Sequence, residues 1–171
     1  IKTFTIPADG SSITQEFSLE HDTDKGVYPS LVRVDDDTYA LAYGGTGSDG
    51  YIKTFTIPAD GSSITQEFSL EHDTVAGLHN SLVRVDDDTY ALAYRGHGND
   101  GFIKTFTIPA DGSSITQEFS LEHDLVYAYE NDFVKVDDDT YALAYKSNIS
   151  DIRTGLIKTF TIPADGSSIT Q

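Results

Sequence analysis

Residues 1–22 read IKTFTIPADGSSITQEFSLEHD, and the same letters return at residues 52–73 and again at 103–124. The starts at Ile1, Ile52 and Ile103 set a period of 51 residues. A fourth start, at Ile157, lies 54 residues after the third, and that copy runs IKTFTIPADGSSITQ to Gln171. Both ends of the chain therefore carry the same text. A unit of this size buries too little surface to stand alone and is stable only when stacked on its neighbours, so the repeat governs the architecture before any single residue does.

Within one period, short alternating apolar runs separated by turn residues predict four strands. Residues 30–34 (SLVRV) form the first, and a turn at Asp35, Asp36 and Asp37 leads into a second at 38–43 (TYALAY). Residues 51–57 (YIKTFTI) form the third. The turn Pro58, Ala59, Asp60, Gly61 follows, where proline presets φ and the Asp-Gly pair suits a tight reversal. A fourth strand over residues 63–72 sets Ile64, Gln66, Phe68 and Leu70 on one face and Thr65, Glu67, Ser69 and Glu71 on the other, as expected of an outer strand with one wet side.

Four antiparallel strands in each unit of this length make the blade of a β-propeller, and the chain resembles that superfamily along its whole length. It has neither the Trp-Asp signature of WD40 blades nor the Gly-Gly pair of kelch blades in a matching place. Asp49-Gly50 and Asp100-Gly101 resemble integrin-type FG-GAP blades but lack that family's run of acidic ligands, so its calcium role is not carried over. The resemblance implies an all-β chain of about three blades. Residues 1–22 would be an N-terminal half-blade, 23–73 and 74–124 repeat units, and 125–171 a last unit with a truncated C-terminal copy. Because propellers close with about 4 to 8 blades, the ring is expected to be completed by a homo-oligomer, a dimer being favoured. Residues 1–22 of one chain would then complete residues 132–145 of another, with 157–171 competing for that place. A head-to-tail contact that fails to close would give filaments instead.

Composition narrows the partners. The 28 acidic residues against 11 Lys and Arg leave a net charge of -17, which repels phosphate backbones and anionic membranes, so neither nucleic acid nor membrane is an expected partner. With 38% hydrophobic and 11% aromatic residues, a packed core is within reach. The absence of cysteine removes disulfides, thiolate metal sites and thiol nucleophiles. No apolar run approaches the roughly 20 residues of a membrane-spanning helix, and no signal segment is seen. An extracellular or cell-surface location is expected if the chain is natural, although copying this faithful also fits engineering on a consensus repeat.

The copies differ at one end only. Connections in an up-and-down sheet alternate between its two ends, so the unchanged turns VDDDT and IPADGSSIT fall at one end and every variable loop at the other. One variable set spans residues 23–29, 74–80 and 125–131; the second spans 44–50, 95–101 and 146–155. The third repeat departs furthest, with Tyr127, Tyr129, Phe133, Ile149, Ile152 and Arg153. A constant frame with variation gathered on one rim is what a recognition surface would show, and Tyr and Arg are favoured interface anchors. The candidate ligand-binding residues are Lys25, Tyr28, Leu78, His79, Arg95, His97, Tyr127, Tyr129, Glu130, Lys146 and Arg153. These observations lead to the expectation of a non-catalytic scaffold for a protein or glycan ligand, with a structural self-assembly module as the alternative.

Other chemistry finds little support in the sequence. His21, His72 and His123 recur in Glu-His-Asp, where a strand-end polar network is expected. His79 and His97 share one repeat and could meet, but lack a third zinc ligand. The triplets 35–37, 86–88 and 137–139 offer oxygen ligands for calcium, although tight solvated turns are the commoner use of aspartate. No nucleophile elbow, phosphate loop or dinucleotide fingerprint is present, so no catalytic residue, metal or cofactor is expected. Asn148, Ile149 and Ser150 match the N-glycosylation pattern.

Overall fold

Runs rich in Thr, Tyr, Ile, Val and Phe favour a pleated, half-buried surface, and each becomes a strand. The computed structural model describes residues 1–149 and 152–171. Strands β1 (Lys2–Thr5) and β2 (Thr14–Ser18) pair with each other. The next sheet holds β3 (Val27–Arg33), β4 (Thr38–Gly44), β5 (Gly50–Thr56) and β6 (Thr65–Asp73). It is followed by β7 (Leu78–Arg84), β8 (Thr89–Arg95), β9 (Gly101–Thr107) and β10 (Thr116–Asp124). The last sheet holds β11 (Tyr129–Lys135), β12 (Thr140–Ile149) and β13 (Ile152–Thr161). In each sheet the strands lie in sequence order, antiparallel throughout. The first strands pack side by side, β3 on β7 and β7 on β11, and the later strands step outwards. The chain is an all-β array of propeller blades.

The blades join through a small face against a large one. Val34, Ala40, Ala42 and Ile52 of one sheet are buried against Leu82, Tyr90, Leu92, Tyr94 and Phe106 of the next. The same arrangement returns with Val85, Ala91, Ala93 and Ile103 against Phe133, Tyr141, Leu143, Tyr145 and Phe160. The alanines let the sheets approach, and the aromatic rings fill the space between them.

Polar contacts repeat at each joint. Thr3, Thr54 and Thr105 each donate a hydroxyl hydrogen bond to the carbonyl of a glycine in the following turn, Gly61, Gly112 and Gly166, at 2.7, 2.6 and 2.7 Å. Gly112 sits at φ 66°, and a Cβ there would meet Thr38 and Thr54 at 3.0 Å. This close approach in the left-handed region accounts for the invariance of the PADG turn. Deeper in the joint, the Tyr94 hydroxyl donates to Asp73 Oδ2 at 2.9 Å, while Asp73 Oδ1 accepts the backbone N–H groups of Val75 and Ala76. Lys104 Nζ donates to the carbonyl of His72 and lies 4.0 Å from the Asp73 carboxylate. Tyr43, Asp22 and Lys53 repeat this arrangement, as do Tyr145, Asp124 and Lys158.

Two expectations change, and one holds, the aspartate triplets forming the tight turns expected of them. The Glu-His-Asp motif is not a histidine polar network: His72 and His123 are buried with neither ring nitrogen bonded among the described residues. Their rings pack edge-on against Tyr94 and Tyr145, and Gly50 and Gly101 make room for them. Burial is the main cause that pulls their pKa values down to about 3 and about 4. The aspartate triplets form closed hairpins, with Val34 N–H donating to Thr38 O and Asp37 O accepting from Ile57 N–H. Arg33 covers the first of these turns, donating to the Asp35 and Asp36 carbonyls and to the Asp36 carboxylate. Finally, β13 pairs with β12 of its own chain from Thr140 to Ile149, and Thr170 bridges Thr161. Residues 157–171 therefore fill the position expected to receive residues 1–22 of another copy.

The last sheet leaves its small face uncovered. Ile157 is 76% exposed, whereas its counterparts Ile52 and Ile103 are fully buried. Val136 is exposed where Val34 and Val85 are buried.

Candidate functional site at the inner end of the blades

The inner strands begin earlier than the apolar pattern predicts, because each contains a bulge. Register shifts fall between Val27 and Ser30, Leu78 and Ser81, and Tyr129 and Asp132. Within them Tyr28, His79 and Glu130 take φ values of 53°, 53° and 56°, in the left-handed region that bulky side chains seldom occupy. The next blade holds the first two of these segments. Asn80 Nδ2 donates to the Tyr28 carbonyl at 3.3 Å, and Asn131 Nδ2 donates to the His79 carbonyl at 2.9 Å. Backbone strain maintained in this way by surrounding contacts is characteristic of functional sites.

The bulges gather aromatic and charged side chains at the variable end. The His79 ring lies 4.0 Å from Tyr28 and stands edge-on to Tyr129 at 5.0 Å. Tyr127 stacks on Tyr129 at 5.5 Å. The strand register sets Arg95 opposite Leu78 and Lys146 opposite Tyr129. The Arg95 guanidinium then lies 4.5 Å from the Tyr129 ring centre, a cation–π distance. Lys146 Nζ is 3.5 Å from the Glu130 carboxylate. Burial, and then the Arg95 cation, hold His79 below the ordinary imidazole value, with Glu130 working in the opposite direction. The imidazole is consequently neutral at pH 7 and can accept a proton.

Beside this cluster lies a cavity of about 380 Å³ lined by Tyr127, Tyr129, Lys146, Ser147, Asn148 and Arg153. Ser147 is only 1% exposed, yet its hydroxyl has no partner among the described residues. Asn148 Oδ1, Arg95 Nε, Asn80 Oδ1 and Asn131 Oδ1 are likewise buried and without a partner among the described residues. Desolvating such a group without a hydrogen bond costs about 1–3 kcal/mol. Five of them near one end of two blades mark a surface that is poorly satisfied by the protein alone.

Of the residues singled out from sequence, Tyr28, His79, Arg95, Tyr127, Tyr129, Glu130, Lys146 and Arg153 converge here. Lys25 is elsewhere, donating to Ser48 Oγ at 2.9 Å. Leu78 is a core residue, buried where Gly44 leaves room for it, and offers no ligand contact. His97 is exposed in the short 3-10 turn His97–Asn99, and no group of three potential metal ligands exists among the described residues. Tyr28, His79, Arg95, Tyr129, Glu130 and Lys146 stand on strands, not on the loops to which the sequence pattern assigns them. Sequence reasoning missed Asn80, Asn131, Ser147 and Asn148. The signal for the first two was the change from Pro29 in the first repeat to Asn in the next two. Of the glycosylation pattern, Ser150 lies outside the described residues.

No known sequence family matches the chain, and no curated protein matches it. Solved structures do. A periplasmic gluconolactonase from Pseudomonas aeruginosa superposes with a TM-score of 0.65 at 12% identity over 94% of this chain and 45% of its own. A putative 6-phosphogluconolactonase from Bacteroides fragilis gives 0.66 at 12% identity over 99% and 48%. An α-L-arabinanase from Penicillium chrysogenum, complexed with arabinobiose, gives 0.58 at 12% identity over 100% and 52%. The chain thus spans about half the length of these propeller-type structures and shares their fold. These likenesses correct the expectation of a non-catalytic scaffold, because two of these neighbours are described as lactonases and the third as an arabinanase. The missing sequence motifs excluded only chemistry carried by residues close together in the chain. His79, Arg95, Glu130 and Lys146 belong to two different blades and are brought together by stacking.

Proposed function

We propose that the propeller hydrolyses a lactone or ester of a carbohydrate at the inner end of its second and third blades. The observation that carries this reading is the His79 imidazole held beside Arg95, Glu130 and Lys146 around the Tyr129 ring, where burial and then Arg95 favour its neutral form. In the proposed reaction, the imidazole takes a proton from water as the water oxygen adds to the carbonyl carbon. Arg95 and Lys146 stabilise the oxyanion that forms. The bond from that carbon to the leaving oxygen then breaks, and the imidazolium returns the proton to the leaving oxygen, giving a hydroxy acid. A two-carboxylate glycosidase mechanism has less support, since Glu130 is the carboxylate that acts on His79. The test is hydrolysis of glucono-1,5-lactone and related lactones by the 171-residue chain, followed by pH-stat titration. Turnover that falls about a hundredfold or more in His79→Gln is expected for loss of a general base. Lactone hydrolysis no faster than in buffer would overturn the assignment.

We also propose that a second copy covers the small face left open at Val136 and Ile157. In the two complete joints the facing surface includes Leu82 and Phe133, and their counterpart Leu31 is itself half exposed. Light scattering should then give twice the 18.6 kDa of one chain, and a mass of one chain at all concentrations would refute it.

A further inference from the structure

We infer that the substrate is a lactone or ester of a sugar acid that bears a further, free carboxylate, and that this carboxylate lodges in the cavity between Tyr127, Lys146 and Arg153. This deepens the hydrolytic reading and rests on it for the reacting end of the substrate, while the cavity supports the acid-binding end. A chain of net charge -17 repels anions in general. Yet the two charged residues lining this cavity, Lys146 and Arg153, are both cations, and Arg95 stacks on its wall at Tyr129. A local reversal of sign against so acidic a background focuses an anion to this place. The planar fork of a guanidinium matches a carboxylate through two parallel hydrogen bonds.

The remainder of the lining fits hydroxyl groups and a ring face. Ser147 Oγ, in a residue 1% exposed, and Asn148 Oδ1 are buried without partners among the described residues. The serine oxygen can both donate and accept, and the amide oxygen accepts from a hydroxyl. Tyr127 and Tyr129, with ring planes 20° apart, give an apolar platform on which the C–H face of a sugar can lie. A volume of about 380 Å³ is at the small end of the range for small-molecule sites and suits a single sugar unit. Lys146 already has the Glu130 carboxylate 3.5 Å away, so Arg153 is the cation that a neutral sugar would fail to use, while a simple carboxylate would leave the hydroxyl partners unused.

The test is a titration of the isotope-labelled 171-residue chain, followed by NMR, with D-glucarate, with the neutral polyol galactitol, with acetate and with inorganic phosphate. Glucarate is expected to shift the amides of Tyr127, Tyr129, Lys146, Ser147, Asn148 and Arg153, and to bind about tenfold or more tightly than galactitol or acetate, the increment of one charge-assisted contact. Arg153→Gln, an exposed substitution on β13, should reduce that preference about tenfold; Ser147→Ala should weaken glucarate and galactitol alike. Equal affinity for glucarate and galactitol, or a glucarate affinity unchanged in both Arg153→Gln and Lys146→Gln, would overturn the proposal. So would phosphate displacing glucarate at lower concentration than glucarate binds, which would make the site a phosphate site. Glucarate binding without lactone turnover would retire the hydrolytic reading and leave the acid site standing, whereas lactone turnover without acid preference would do the reverse.

Discussion

The side-chain amide of Asn131 donates to the backbone carbonyl of His79, 2.9 Å away on the preceding blade. That bond ties the left-handed turn carrying the proposed general base to the strand carrying Tyr129 and Glu130, so the position of the imidazole depends on how two blades stack. In Asn131→Ala the chain should lose about 1 kcal/mol of stability, the usual net worth of one such hydrogen bond. If Asn131 positions His79, kcat for the lactone should fall while KM stays near its original value. Urea denaturation and initial-rate kinetics separate the two effects, since mere loosening of the fold would lower the amount of active protein and leave kcat per folded chain unchanged.

Acid should unfold this chain earlier than its carboxylates alone require. His72 and His123 have pKa values near 3 and 4 when folded, against about 6.5 in an unfolded chain. Between those limits the unfolded state binds more protons than the folded one. The stabilisation from keeping these rings neutral is therefore complete above pH 6.5 and is lost as pH falls, at up to about 1.4 kcal/mol per pH unit for each histidine. Thermal midpoints measured from pH 7 to pH 4 should decline steadily, and His72→Leu should flatten that slope by about half.

Gly101→Ala should be costly although it adds a single methyl group. The new Cβ would lie 2.5 Å from His123 Cε1 and 2.9 Å from the Ala128 side chain, in a joint with no space to relax. Overpacking of this kind costs about 1–3 kcal/mol, which calorimetry would record as a fall of several degrees in Tm. Gly155→Ala, where nothing lies within 4 Å, is the matched control and should leave Tm close to its original value.

Tyr94→Phe should weaken the joint between the first two full blades. The hydroxyl donates to Asp73 Oδ2 at 2.9 Å, and its removal leaves a half-buried carboxylate with one bond fewer. A hydrogen bond to a charged acceptor is worth about 1.5–3 kcal/mol. Denaturant midpoints should fall accordingly, and hydrogen exchange should quicken at Val75 and Ala76, whose N–H groups are held by the same carboxylate.

The repeat text discloses the blades almost in full. Alternation in TYALAY predicts a strand over residues 38–43, and β4 runs Thr38–Gly44; YIKTFTI predicts 51–57, and β5 runs Gly50–Thr56. The inner strands were less legible. SLVRV points to residues 30–34, whereas β3 runs Val27–Arg33, because the bulge at Tyr28 interrupts the period of two and tyrosine gives no local sign of a left-handed turn. For the same reason His79 and Glu130 read as loop residues. Their environment is created by Asn80 and Asn131 reaching across a joint, and contacts made a full period away leave no mark in a local pattern. His72 shows the same limit: its neighbours Glu71 and Asp73 suggest a wet strand end, while its burial depends on Gly50, Tyr94 and Phe106.

The threonine-to-glycine contacts, Thr3 to Gly61, Thr54 to Gly112 and Thr105 to Gly166, carry a consequence for how such a protein changes over generations. Each connects residues of the same kind in the same relative position, so a blade recognises the type of its neighbour and nothing about its rank in the row. At these contacts rank is kept by the covalent thread alone; only at the variable end, where Leu78 sits on Gly44 and Arg95 on Tyr129, do the joints differ. A whole 51-residue period can therefore be lost or duplicated by a single recombination between identical stretches with the frame of each seam still matched, and such an exchange re-pairs the site residues, which lie where the copies differ, across a joint whose frame stays the same.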